Sequence, residues 1–251
     1  MKLTRFLTTT AAAALAVAAA TTHAATITWG PATNINPAGG AASDLDVDTT
    51  GTLVRALNLG TPSVAGTTVN GVNFEALGVA TGVPSVAIGN FTLSTVAAGG
   101  LRGANFASAA APFSGLSAPY QSLLRQPAFT SAPNGTMTLT MAGLTVGQSY
   151  QFQWWSDLSG AGSGTTIASA GNSVSLNANP TIANGGLGQF AIGTFTADAS
   201  GSQAITFTPN AGGQPILNGF QLRQAAPVVP EPGTALFGVA LCAVAGLRRR
   251  C

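Results

Sequence analysis

Ser149-Tyr150-Gln151-Phe152-Gln153-Trp154-Trp155 alternates aromatic and amide side chains along its first five positions after the serine. Successive side chains of a strand point to opposite faces, so Tyr150, Phe152 and Trp154 share one face and Gln151, Gln153 and Trp155 the other. The first face is aromatic and belongs in a core. Trp155 stands opposite it, beside Ser156 and Asp157. A strand with one buried face needs a second layer, and the rest of the chain supplies strands in number.

Working outward, strand-like runs recur at Thr26–Trp29, Leu53–Leu59, Phe91–Val96, Met137–Met141, Ser173–Leu176, Gln189–Thr196, Gln203–Thr208 and Ile216–Arg223. Thr67–Leu77 is broken by Asn70-Gly71, a strong hairpin-turn signal. Most of these runs are bounded by Gly, Pro or Asn. Only Tyr120–Gln126 reads as a short helix, with Pro119 at its start and Pro127 beyond its end. Gly99–Pro112 and Gly160–Gly171 read as small-residue loops. Many short strands separated by turns predict an all-β fold, an antiparallel β-sandwich. The approach Leu144 to Tyr150 resembles the tyrosine corner of Greek-key sandwiches.

The two ends of the 251-residue chain are of different character. Residues 1–24 read as a secretory signal peptide: Lys2 and Arg5 form the basic start, Thr8–Ala20 the apolar run, and Thr22-His23-Ala24 a cleavage site of small residues. Residues 25–226 form the β-sandwich domain. Residues 227–251 hold Pro230-Glu231-Pro232, an uncharged run from Gly233 to Leu247, and Arg248, Arg249 and Arg250. As a helix the uncharged run spans only ~22 Å, and counting from Val228 brings it close to membrane length. The arginines place the tail end on the cytoplasmic side and the domain outside.

This triplet, short apolar helix and basic end resemble the PEP-CTERM sorting signal of Gram-negative bacteria. The resemblance implies an exosortase-type membrane protease as partner, transient anchoring in the inner membrane through the C-terminal helix, and release to the cell surface or extracellular matrix, often alongside exopolysaccharide. It covers about the last two dozen residues; Cys251 is outside the pattern. The central region resembles the jelly-roll or galactose-binding-like β-sandwiches of such exported proteins.

Charged residues are only 6% of the chain and hydrophobic ones 46%, as suits an exported β-protein rich in small residues. Between the two end segments the basic residues are Arg55, Arg102, Arg125 and Arg223, and the acids are Asp44, Asp46, Asp48, Glu75, Asp157 and Asp198. No basic patch forms, which argues against nucleic acid as a partner. Both cysteines lie in the tail, so no disulfide holds the domain. The lone histidine is His23. Without His, Cys or Lys the domain has no Ser-His-Asp or Cys-His triad, no His-ligated zinc and no Schiff-base lysine. Nothing in the spacing of the six acids singles out a glycosidase pair. The chain is therefore expected not to be an enzyme.

Two candidate sites remain. Asp44, Asp46 and Asp48 share one face if they lie on a strand; they form either a calcium site or a solvated edge that discourages pairing. Trp155 with Asp157 offers a sugar an aromatic face and a carboxylate, unless a loop or second layer covers the indole. No cofactor is expected beyond that calcium. The expected role is structural or adhesive. The alternative is a carbohydrate-binding module for exopolysaccharide, and a third reading is a polysaccharide hydrolase.

Overall fold

The computed structural model describes residues 24–225 apart from 161 and 163. The signal peptide and the sorting tail, Pro230, Glu231, Pro232 and Arg248 to Arg250 included, lie outside the described residues.

Two sheets face each other. The first runs, from edge to edge, through Thr28–Trp29, Gln189–Thr196, Ser149–Ser156, Gly219–Gln224, Thr52–Gly60, Val72–Gly78 and Thr67–Val69, with Thr33–Asn34 also paired to Gln189–Thr196. The second runs through Asn172–Asn177, Thr165–Ala170, Ser202–Pro209, Met137–Ala142, Phe91–Thr95 and Ser85–Ile88. A small pair, Leu101–Gly103 with Ala128–Thr130, stands apart. The fold is a mostly antiparallel β-sandwich. One pair departs from that rule: Thr52–Gly60 and Val72–Gly78 are parallel. The hairpin at Asn70-Gly71 explains it. Both residues have positive φ, 48° and 74°, which only a primed turn requires. Thr67–Val69 thereby becomes the outer edge, and its partner is returned beside Thr52–Gly60 in the parallel sense.

The main core lies between the sheets. Tyr150, Phe152 and Trp154 enter it as the alternation requires, against Leu93, Leu139, Ile205 and Phe207. Trp154 meets Phe207 edge to face at 5.1 Å. The Tyr150 hydroxyl accepts the Thr145 backbone N–H at 2.9 Å, which is the tyrosine-corner contact. It pins the turn before the strand and so sets which residue of the strand enters the core first.

A second core lies on the outer side of the first sheet. Ile35, Val47, Phe74, Tyr120, Leu123, Leu124 and Trp155 pack there, under the residues that precede Thr52 and under the helix Ala118–Leu124. That helix starts two residues earlier than the proline spacing suggests, because the Ser117 hydroxyl accepts the Tyr120 backbone N–H and caps it. The expected loop Gly160–Gly171 contains a full strand, Thr165–Ala170, and the expected loop Gly99–Pro112 contains Leu101–Gly103. In the first case Thr166, Ala168 and Ala170 turn inward in strict alternation. Small side chains carry the period there but almost none of the apolar signal.

Candidate functional site

The outer face of the first sheet holds the residues first singled out. Gln151, Gln153, Trp155 and Asp157 follow one another along it at period two, with Gln221 and Arg223 alongside on the neighbouring strand. This face is covered, so the expected exposed indole is corrected. Trp155 is 0% exposed. It packs on Phe74 and Phe190, and its indole N–H donates to the Tyr120 hydroxyl at 3.1 Å. Asp157 is buried as well. Its Oδ1 accepts the Gly188 N–H at 2.7 Å, while Oδ2 has no partner. Burial pushes its carboxyl up to about 8, outweighing the backbone N–H groups that favour the anion. At neutral pH it is a buried neutral acid, closed to a sugar.

The acidic cluster is dispersed. Asp44 to Asp46 form a 3-10 turn, not a strand, so the three carboxylates do not share a face. Asp44 accepts the Ser117 hydroxyl at 2.5 Å. Asp46 accepts the Asn36 N–H at 2.8 Å and the Tyr120 hydroxyl at 3.2 Å, and burial raises its pKa. Asp48 accepts the Thr50 N–H and hydroxyl and the Gln151 amide. Among the described residues no three carboxylate, His or Cys groups come together as a metal site. Chelation is expected to move the melting temperature by less than 1 °C, because a ligand stabilises only in proportion to its binding. A large loss restored by Ca²⁺ would contradict this.

What the outer face binds is its own chain. Gln153 donates to Asp46 O at 2.6 Å and Gln221 to Asp48 O at 2.8 Å. Arg223 donates to the carbonyls of Thr49, Thr50 and Gly51 at 2.9, 2.7 and 2.9 Å. Its polar groups thus hold residues 46–51 down rather than a ligand.

An open site lies at one end of the sandwich, between the sheets. Val54, Arg55, Gly89, Asn90, Phe91, Ala142, Gly143, Leu144 and Tyr150 line a groove of about 260 Å³. Arg55 comes from the start of Thr52–Gly60. Asn90 comes from the two-residue turn Gly89-Asn90, where Gly89 has φ 55°. A Cβ at Gly143 would lie 2.5 Å from Asn90 Nδ2, so only glycine lets the amide settle there. Phe91 and Tyr150, both nearly buried, form the floor.

Arg55 is fixed on two sides. Its guanidinium carbon sits 5.7 Å from the Phe91 ring centre, a cation–π distance. Nη1 donates to Glu75 Oε2 at 3.0 Å. That is its one hydrogen bond to the described residues, and none of its remaining N–H groups is sealed from solvent. The Asn90 amide has no hydrogen-bond partner among the described residues, and the Tyr150 hydroxyl, already an acceptor, keeps its own proton to donate. Three larger grooves among the described residues have no such set. One, of about 440 Å³, is lined by the hydroxyls of Thr26, Thr28, Ser149, Thr194 and Thr196. Another, of about 360 Å³, is lined largely by prolines and Leu187. The third, of about 320 Å³, includes Gln214, whose amide already donates to the carbonyls of Thr130 and Ser131.

No protein-family model and no curated protein matches the chain. Two solved structures are similar to it. One is the enzymatically active domain of a tailspike protein of bacteriophage CBA120, with 18% identity over 55% of this chain and a TM-score of 0.32; this chain spans only 20% of that one. The other is a carbohydrate-binding module of the β-sandwich superfamily, with 15% identity, 59% of this chain and 71% of that one covered, and a TM-score of 0.17. Neither likeness is close enough to carry an argument about this chain's activity. The expectation that the chain is not an enzyme is corrected all the same: one similar structure is an enzymatically active domain, so the exclusion is withdrawn and no activity is assigned in its place.

Proposed function

We propose that this chain is an exported carbohydrate-binding β-sandwich, holding one sugar residue of an extracellular polysaccharide in the groove at Arg55. The observation that supports it is the convergence of two planar polar groups with N–H groups to spare, Arg55 and Asn90, over a floor of two aromatic rings. Sugar sites need both parts. Hydroxyls are taken by fixed planar side chains, and the C–H faces of the ring rest on apolar surface, here Val54 and Leu144. The groove, of about 260 Å³, suits one ring.

The experiment is calorimetric titration with a panel of bacterial and plant polysaccharides. Binding that falls at least tenfold in Arg55→Ala, with an unchanged melt, is expected; a tenfold loss is 1.4 kcal/mol. Binding unaffected by Arg55→Ala, or no binding to any glycan, would sink the reading.

Export and sorting belong to the same proposal and rest on residues outside the described ones. The signal-peptide pattern and the PEP-CTERM-like tail support delivery through the membrane, exosortase processing and release to the surface or matrix. Intact mass spectrometry of released protein is expected to show Arg248 to Arg250 removed. Released protein that still ends in Cys251 would contradict it.

A further inference from the structure

We infer that the sugar residue taken by this groove is a uronic acid, whose carboxylate lies against the free edge of the Arg55 guanidinium. The inference rests on the carbohydrate reading and narrows it to acidic polysaccharides. Three observations carry it. Arg55 spends one of its N–H groups on Glu75 through Nη1, which leaves Nε–H and Nη2–H without a partner among the described residues and not sealed from solvent. That pair is the planar fork which a carboxylate meets with two parallel hydrogen bonds. Nη2 is on the groove side, where a Cβ at Gly89 would lie 3.4 Å from it.

The other polar groups of the groove point the same way. The Tyr150 hydroxyl already accepts from Thr145 and has a proton left to give, and the Asn90 amide has two. The side-chain groups offered to a ligand are mainly donors, so a ligand rich in acceptors satisfies them best. A neutral diol would have to place its own hydroxyl protons, and Asn90 Oδ1 is the main side-chain acceptor among the lining residues.

Glu75 opposes the second carboxylate without preventing it. It pairs through Nη1, away from the Nε–Nη2 edge, so it stands farther from a carboxylate on that edge than the guanidinium does, and Coulomb attraction at contact exceeds repulsion at longer range. Its side chain is 46% exposed, so solvent and salt screen it. Glu75 therefore has two opposed effects. It fixes the direction of Arg55, and it lowers the affinity for an anion.

The test uses the full-length chain and three probes, namely polygalacturonate, polymannuronate and a glucuronate polymer, each beside its methyl ester. The ester keeps the sugar skeleton and removes the charge. At least one acid form is expected to bind tenfold or more tighter than its ester, and to weaken as salt rises. Arg55→Gln should abolish that preference. Glu75→Gln, which keeps an acceptor for Nη1 and removes the charge, should raise the preference for acid over ester several-fold, an effect opposite in sign to any loss of folding. Equal binding of acid and ester, with Arg55→Gln still harmful, would overturn the uronate and leave the carbohydrate reading standing. Binding to neutral polysaccharides alone would do the same. No binding to any polysaccharide would remove both.

Discussion

Replacing Asp157 by asparagine is expected to make the domain more stable at pH 9 and less stable, by ~1–3 kcal/mol, at pH 4. The wild-type carboxyl is raised from 3.8 to about 8 by burial. Between those values the folded state holds a proton that the unfolded state has lost. Stability therefore falls as pH rises through this window and levels off above about 8. At 1.36 kcal/mol per unit the fall is on the order of 5 kcal/mol. Asparagine removes the proton and the fall together. Part of the gain is lost, because the carboxamide N–H₂ at the unpartnered Oδ2 position also finds no acceptor. A net gain of ~2–4 kcal/mol at pH 9 is expected, read from denaturant midpoints. Asp46, also raised by burial, tilts the wild type in the same direction, while Asp48, whose hydrogen bonds hold its pKa down, tilts it the other way below the normal carboxylate range. A wild-type stability that is flat from pH 5 to pH 8 would contradict the burial of Asp157.

Trp155→Ala is expected to cost ~3–5 kcal/mol, as much as Trp154→Ala. The two indoles lie in different cores, Trp154 between the sheets and Trp155 between the first sheet and the layer that carries Ala118–Leu124. Each is 0% exposed, so each truncation leaves a cavity on its own side. Trp155→Phe should cost about 1 kcal/mol more than packing alone predicts, because the Tyr120 hydroxyl loses its donor. The two alanine variants separate the accounts of this strand. A severe loss for Trp154→Ala with a mild one for Trp155→Ala would mean that the outer face is open.

The same pair shows how far the sequence could be read. Alternation assigns Trp155 to the face opposite Trp154, and that assignment holds. It carries no information about what covers a face. The cover comes from residues 35–47 and 113–124, distant in sequence and joined to Trp155 only through the fold. Turn chemistry was partly legible where it was local: Asn70-Gly71 makes a hairpin, and Pro119 marks the first turn of a helix, though the Ser117 cap that sets its start two residues earlier shows only in the structure. The parallel pair that follows from that hairpin was not, since register and direction depend on which neighbour is already in the sheet. Thr165–Ala170 looks like a loop in sequence because threonine, serine and alanine hold the period without apolar contrast.

The groove was the least legible part. Arg55, Glu75, Asn90, Gly143 and Tyr150 come from five separate segments, and no spacing in the sequence joins them. One signal was present. Gly89-Asn90 sits between two alternating runs, Ser85–Ile88 and Phe91–Thr95, and a two-residue turn there brings Asn90 to the end of the sandwich. Asp44, Asp46 and Asp48 carry a stronger sequence signal, because three carboxylates at alternate positions suggest a shared face. A 3-10 turn at Asp44–Asp46 removes that premise.

The central claim is that a glycan is held at Arg55, and backbone resonances mapped during titration with a bound polysaccharide fragment test it most directly. The account predicts shifts gathered at Arg55, Gly89, Asn90, Gly143 and Tyr150, with the Trp155 indole resonance unmoved under its cover. Shifts gathered instead along Thr28, Thr194 and Thr196, or at Trp155, would contradict it.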